Sequence, residues 1–150
     1  NHNQVDGGFE AKMRFRLFVT FNADFPDDSQ VNQAGEIDIP DGRAIATFIA
    51  ESLRSKDLQS SIVSQHSFYG WAFQVTYLQV EIYCLLQCPD EWLLLTEARR
   101  SIKDRVLFRH HQAEHKVVVD RLHQILSSDQ RFDHVRWFTK AEYESSAGGR

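Results

Sequence analysis

The sequence predicts an α+β fold, a two-layer sandwich in which two helices cover one face of a mostly antiparallel sheet. Within residues 69–97, the segments 73–77 and 81–86 alternate with a period of two, which is typical of a pleated sheet with one face against a core. Apolar residues recur at helical spacing on both sides of that stretch, at residues 45–53 and 118–125. Together these patterns predict the element order β-α-β-β-β-α-β.

The composition is that of a single globular domain. The chain has 150 residues, of which 42% are hydrophobic and 25% charged, and a chain of this length can bury one core without disulfides or metals. Residues 1–12 and 145–150 are polar or small and lack apolar periodicity, so they are predicted to be tails. The predicted domain therefore spans residues 13–144.

The first strand is predicted at residues 14–21, where apolar side chains occupy every second position. A polar stretch follows up to Pro40. Pro40, Asp41 and Gly42 then open a helix at residues 44–53, with Asp41 expected to accept hydrogen bonds from its first turn. The apolar stripe of this helix should lie on the sheet and consists of Ile45, Phe48, Ile49 and Leu53.

The middle of the chain predicts strands at residues 72–77, 81–86 and 92–96. The last of these is apolar at nearly every position, which is typical of a central strand covered on both faces. Residues 62–68 are interpreted as the first half of a long bent strand with Gly70 as a bulge.

A second helix is predicted at residues 117–126, beginning between Gln112 and Lys116, with Val118, Leu122 and Ile125 buried. A last strand is predicted at residues 132–139. The nearest common architecture is a ferredoxin-like fold with an extra strand, an analogy that carries no function.

The two cysteines do not form a recognisable redox or zinc motif. Cys84 and Cys88 are four residues apart on a strand and the following turn, and Cys84 is interpreted as a small core residue. No apolar run approaches the length of a membrane span, and the first residues do not resemble a signal peptide. We therefore expect a cytoplasmic protein with no membrane partner.

The charge distribution favours a basic partner over nucleic acid. Residues 1–50 carry eight acidic and four basic side chains, whereas the basic side chains cluster at residues 99–115. A nucleic-acid-binding domain normally has a coherent basic footprint. The first strand resembles the basic and aromatic strands of RNA-recognition modules but lacks their glycine-containing pattern, so RNA binding is retained as an alternative.

The H-x-x-E-H segment from His111 to His115 matches the zinc signature of inverzincin peptidases. In that signature two histidines of one helix bind the metal and the glutamate activates water. The third ligand would have to come from Glu142 or Glu144, near the end of the chain. A zinc-dependent hydrolase is therefore the last alternative, and no cofactor or metal is expected. No nucleophile elbow or glycine-rich phosphate loop is present, which favours a non-enzymatic protein.

The candidate binding site is the polar stretch at residues 22–38, which is too long for a tight turn. Loops of this length on a rigid scaffold commonly carry binding functions. Its carboxylates are expected to bind a basic protein surface, and they are Asp24, Asp27, Asp28, Glu36 and Asp38.

The layout of residues 13–143 resembles small bacterial proteins akin to the immunity proteins of polymorphic toxin systems. The resemblance lies in Y-G-W-A-F at residues 69–73, L-L-Q-C-P-D-E-W-L-L at residues 85–94, L-H-Q-I-L at residues 122–126 and R-W-F-T at residues 136–139. It implies a cytosolic antitoxin domain that binds a cognate toxin, without catalysis, and blocks the toxin's active site.

Overall fold

A computed structural model describes residues 15–67 and 69–148. The helices are α1 (Arg43–Leu53), α2 (Ile102–Val106), α3 (Gln112–Ser128) and α4 (Lys140–Gly148). The strands are β1 (Phe18–Ala23), β2 (Gln30–Val31), β3 (Ile37–Ile39), β4 (Leu58–Ser60), β5 (Ser64–His66), β6 (Gly70–Tyr77), β7 (Val80–Gln87), β8 (Trp92–Ala98) and β9 (Phe132–Phe138).

The main sheet has the strand order β4-β6-β7-β8-β1-β9, with β5 also paired to β6, and every pairing is antiparallel. Strands β8 and β9 run in the same direction with β1 between them, so β8-α3-β9 has the split arrangement of a ferredoxin-like fold. The first half departs from it because β7 and β8 separate β1 from β6. The α+β sandwich predicted from the sequence is confirmed.

The core lies between the sheet and helices α1 and α3, which contact the same face. Ile45, Ile49, Val118 and Leu122 are buried as predicted. Phe48 is only partly buried and packs against Phe25 and Phe132, and Ile125 is only partly buried because Leu126 takes the core position at the end of α3. Strand β8 is central, and its adjacent Leu93 and Leu94 are buried on opposite faces.

The structure corrects several local predictions. Residues 62–68 do not start a bent strand, because β5 forms its own antiparallel pair with β6. The first strand begins at Phe18 and continues to Ala23, later than predicted. Helices α2 and α4 and strands β2 to β4 were not predicted, since such short elements carry too few periods to be seen in the sequence.

The predicted tails are only partly described. Residues 1–12 lie outside the described residues, and α4 includes residues 145–148 of the predicted C-terminal tail. Across the described residues, no helix is both long and apolar enough to cross a membrane.

Candidate partner-binding site

The polar stretch at residues 22–38, which we call the acidic stretch, leads into a small hairpin beside the main sheet. Strands β2 and β3 pair only with each other, and Val31 lies opposite Ile37. Cross-strand partners point to the same face, so these two side chains form an apolar pair. They are 62% and 52% exposed, respectively. We call this unit, residues 30–39, the acidic hairpin.

Asn32 fixes the turn of the acidic hairpin. Its side-chain oxygen accepts hydrogen bonds from the backbone N–H groups of Ala34 and Glu36, at 2.9 and 3.0 Å. Its backbone N–H donates to the carbonyl of Glu36 at 2.8 Å, and Gly35 adopts a left-handed φ of 81°. A glycine accommodates that φ without a steric penalty. The hairpin is therefore held by its own polar contacts although its apolar pair is exposed.

Asp28 ties the acidic stretch to helix α1. Its carboxylate accepts hydrogen bonds from the backbone N–H groups of Gly42 and Ala44, both at 2.9 Å. These donors belong to the first turn of α1, which has no intrahelical partners for them. Partial burial tends to raise the pKa of Asp28, but the hydrogen bonds from Ala44 and Gly42 outweigh it and the pKa is lowered.

The helix cap is therefore not the one predicted. Asp41 accepts a hydrogen bond from the backbone N–H of Asp28 at 3.1 Å and does not cap α1. The N-cap residue of α1 is Gly42, which has no side chain to accept a hydrogen bond. Partial burial raises the pKa of Asp41. The capping carboxylate comes from 14 residues earlier in the chain, beyond the reach of a local capping pattern.

Two further contacts anchor the far end of the acidic stretch. The indole N–H of Trp71 donates to the carbonyl of Pro40 at 3.0 Å inside the core. The side-chain amide of Gln65 donates to the carbonyl of Asp38 at 2.9 Å. Residues 38–40 are thus fixed against β5 and β6, and the hairpin projects from a rigid base.

The five predicted site carboxylates divide into two groups. Asp28 is a structural cap, half-buried and engaged by the α1 backbone. Asp24, Asp27, Glu36 and Asp38 are exposed. Residues 22–42 contain no lysine or arginine. The stretch is therefore a local concentration of negative charge, bordered by Arg131, whose guanidinium lies 4.4 Å from the Phe25 ring centroid.

Asp27 is the exposed carboxylate with the most local support. Its oxygen accepts a hydrogen bond from the backbone N–H of Ser29 at 2.8 Å. Hydrogen bonding to Ser29 lowers the pKa of Asp27, so this side chain keeps its charge at neutral pH. Asp38 accepts a long hydrogen bond, 3.4 Å, from the side chain of Asn32.

A second exposed feature lies at residues 99–111, which we call the basic surface. It carries five arginine or lysine side chains and one carboxylate, Asp104. Its apolar side chains are also unusually exposed, and they are Ile102 at 81%, Val106 at 68%, Leu107 at 49% and Phe108 at 81%. Monomeric proteins rarely expose such a group without a binding role.

The basic surface has a defined conformation. Ser101 and Asp104 form a capping box at the start of α2, with both hydrogen bonds at 3.1 Å. Asp104 also pairs with His111 at 3.1 Å, and chiefly this contact lowers the pKa of Asp104 to about 2. The only carboxylate of residues 99–111 is therefore engaged within the segment itself.

The acidic hairpin and the basic surface lie at opposite ends of the main sheet. The acidic stretch leaves β1 where Phe21 pairs with Trp92, at the start of β8. The basic surface leaves the other end of β8, after Ala98 and next to Leu17. A strand of this length spans roughly 20 Å, so the two surfaces of one molecule do not meet.

The histidines of the H-x-x-E-H segment face different surroundings. His115 is 4% exposed, and its Nε2 lies 2.7 Å from the hydroxyl of Thr96. His111 precedes α3 with a left-handed φ of 56° and pairs with Asp104. Within the described residues, no three His, Cys, Asp or Glu side chains are grouped to hold a metal ion. The candidate third ligand Glu142 pairs with Arg16 at 3.1 Å.

Neither cysteine has the environment of a nucleophile. Burial raises the pKa of Cys84 far above its usual value. Partial burial raises the pKa of Cys88 as well, and the nearby carboxylates of Asp41, Asp90 and Glu91 add to the effect. Reactive cysteines need a lowered pKa, so the geometry disfavours thiolate chemistry at both positions.

The sheet face opposite α1 and α3 carries aromatic rings that already have neighbours. The guanidinium of Arg99 lies 4.6 Å from the Tyr83 ring centroid. Tyr143 of α4 contacts Phe18 and Phe138 edge to face, at 5.9 and 6.1 Å between centroids. Base stacking on this sheet face would have to compete with these contacts.

Sequence reasoning missed the apolar half of both surfaces. Val31 and Ile37 stand in a polar stretch, and only their pairing makes them neighbours. A single apolar residue in a loop carries no signal, since exposed apolar residues are common.

Compared with models of protein families, with curated proteins and with solved structures, the chain shows no significant match.

Proposed function

We propose that the protein is a non-enzymatic binding module that uses the acidic hairpin and its neighbouring carboxylates to contact a basic protein. The observation that carries the proposal is the exposed apolar pair of Val31 and Ile37 in a stretch that bears carboxylates and no cations. An apolar centre surrounded by polar groups is the usual anatomy of a protein interface.

The two parts of this surface would act differently. The carboxylates of Asp24, Asp27, Glu36 and Asp38 would speed association with a positively charged partner and disfavour acidic ones. The apolar pair would lose water on contact and slow dissociation. Because Asp28 and Trp71 hold the base of the stretch in place, little ordering would be needed on binding.

The partner we propose is the basic catalytic domain of a toxin, which the protein would block as an immunity protein does. This identification depends on the resemblance in layout of residues 13–143 and on the sign of the charge. Neither cysteine is activated, and His111 and His115 of the H-x-x-E-H segment face different surroundings, which favours binding over catalysis.

The test is affinity capture from the source cell, combined with sequencing of the neighbouring genes, since an immunity gene should lie beside its toxin gene. The variant D24K/D27K/E36K/D38K should lose the partner, and Asp28 is left intact because it caps α1. The matched control is E81K/E97K/D120K/E144K, which reverses four exposed carboxylates elsewhere and should retain it.

Kinetics with the captured partner would separate the two roles. The charge-reversal variant should mainly lower the association rate constant, and V31S/I37S should mainly raise the dissociation rate constant. A partner bound equally by wild type and D24K/D27K/E36K/D38K would contradict the acidic mechanism. Turnover of a substrate by the purified protein would contradict the non-enzymatic function.

A further inference from the structure

We propose that the basic surface of one molecule binds the acidic hairpin of a second copy of the same chain. Both surfaces combine exposed apolar side chains with charge of one sign, and the signs are opposite. The two surfaces can therefore form an apolar contact flanked by side chains of opposite charge.

The basic surface has the features of a contact that is incomplete in the isolated molecule. Ile102 and Phe108 are both 81% exposed, and Phe108 adopts a left-handed φ of 57°. Exposed apolar area and a left-handed non-glycine residue are both unfavourable without compensation. The capping box at Ser101 and the pair of Asp104 with His111 nevertheless keep this segment in one conformation.

The acidic hairpin supplies the matching chemistry. Val31 and Ile37 form its exposed apolar pair, and the exposed Glu36 and Asp38 flank Ile37 in the chain, with Asp38 on the alternate face of β3. Lys103, Arg105 and Arg109 are exposed cations interspersed in sequence with the apolar residues of the basic surface. Arginine beside a carboxylate is well suited to such a rim because its guanidinium can donate two parallel hydrogen bonds.

The contact must form between molecules, because one chain holds the two surfaces at opposite ends of its sheet. Repeating the contact head to tail would build chains or rings, whereas two antiparallel copies would close a dimer through two equivalent contacts. In either arrangement the hairpin becomes covered, so a basic partner of the kind proposed above would have to displace the second copy. The inference itself does not rest on that partner.

Purified protein alone tests this inference by sedimentation velocity over a wide range of concentration and salt. The average mass should rise with protein concentration and return to that of the monomer at high salt, since exposed charges are screened. The variants R105E/R109E and E36K/D38K should each weaken self-association by about tenfold or more, because each replaces attraction with repulsion. The matched control K56E/K140E reverses two exposed lysines outside both surfaces and should self-associate like wild type.

Mixing the two variants gives the decisive result. R105E/R109E retains an intact hairpin and E36K/D38K retains an intact basic surface, so the mixture should form heterodimers at concentrations where neither variant associates measurably alone. Heterodimer formation would also prove that both variants are folded. The quadruple variant R105E/R109E/E36K/D38K should regain self-association, since both signs are exchanged.

Three results would overturn the inference. The first is a monomer at every concentration and salt, and the second is an oligomer that neither charge reversal weakens. The third is a monomer whose basic surface binds vesicles of anionic phospholipid, with binding lost in I102S/F108S. Partner capture distinguishes this failure from that of the proposed function, because R105E/R109E leaves the hairpin intact and should still capture the basic partner.

Discussion

His115 and Thr96 form a buried hydrogen bond of 2.7 Å that joins helix α3 to the central strand β8. The Thr96 hydroxyl donates to the carbonyl of Leu17 at 2.8 Å, so its remaining lone pair accepts the Nε2 proton of His115. The neutral ring and the imidazolium both carry an Nε2 proton, so this hydrogen bond is compatible with either form, and burial is what favours the neutral one. Burial lowers the pKa of His115 from 6.5 to about 4.

Stability should therefore fall as the pH decreases from about 6.5 to about 4. Between these pH values His115 is protonated in the unfolded chain but neutral in the folded protein. Because the unfolded state binds more protons, the free energy of unfolding increases with pH. The contribution of His115 is fully present above its unfolded pKa and amounts to roughly 3 kcal/mol. Urea unfolding at a series of pH values measures it.

His115→Gln is the control for this prediction, because its amide can still donate to Thr96 but does not titrate. The variant should lose most of the pH dependence between about 6.5 and 4. The capping carboxylate Asp28 has a lowered pKa, so its contribution is lost only at lower pH. An unchanged slope in His115→Gln would contradict the assignment.

Leu122→Ala should lower the free energy of unfolding by roughly 2–5 kcal/mol, since the side chain is fully buried between α3 and the sheet. Ile125→Ala removes a partly buried side chain of the same helix and should cost less. Chemical denaturation of both variants measures the difference. Equal effects, or none at Leu122, would show that α3 packs in another orientation.

Asp28→Asn should lower the free energy of unfolding by about 1 kcal/mol, because the amide keeps only one acceptor for the two N–H groups at the start of α1. Asp27→Asn is the matched control, as that carboxylate is exposed and contacts only its own turn. Urea denaturation should show a much smaller change for Asp27→Asn. A larger loss at Asp27 than at Asp28 would refute the long-range cap.

We predict that the dialysed protein retains no stoichiometric zinc. The reason is that Nε2 of His115 faces Thr96 in the core, whereas His111 pairs with Asp104. Elemental analysis after dialysis measures the zinc content. Zinc present at one ion per chain and lost in His111→Ala would restore the hydrolase hypothesis.

We also predict no salt-sensitive binding to a mixed pool of oligonucleotides, measured by electrophoretic shift. The Tyr83, Phe18 and Phe138 rings already contact Arg99 or Tyr143, so bases could stack on them only by displacing these contacts. A clear shift that weakens steeply with salt would favour the RNA-binding alternative. Loss of such a shift in R105E/R109E would assign it to the basic surface.

The sequence by itself determined five strands of the main sheet, β1, β6, β7, β8 and β9, and which sides of α1 and α3 face it. This information is local, because alternation and helical spacing record the direction of successive side chains. It predicted burial of Ile49 and Leu122 and the central position of β8. It also identified the acidic stretch, since a run of carboxylates without cations is visible in any conformation.

Only the tertiary structure decided what individual residues of that stretch do. Asp28 became a cap of α1 because the fold brings it beside Gly42, and Val31 and Ile37 became one apolar face because β2 pairs with β3. The strand order put the acidic hairpin and the basic surface at opposite ends of the sheet. These relationships join residues that are distant in sequence. Local sequence patterns do not predict them, because the packing of the whole chain determines which distant residues come together.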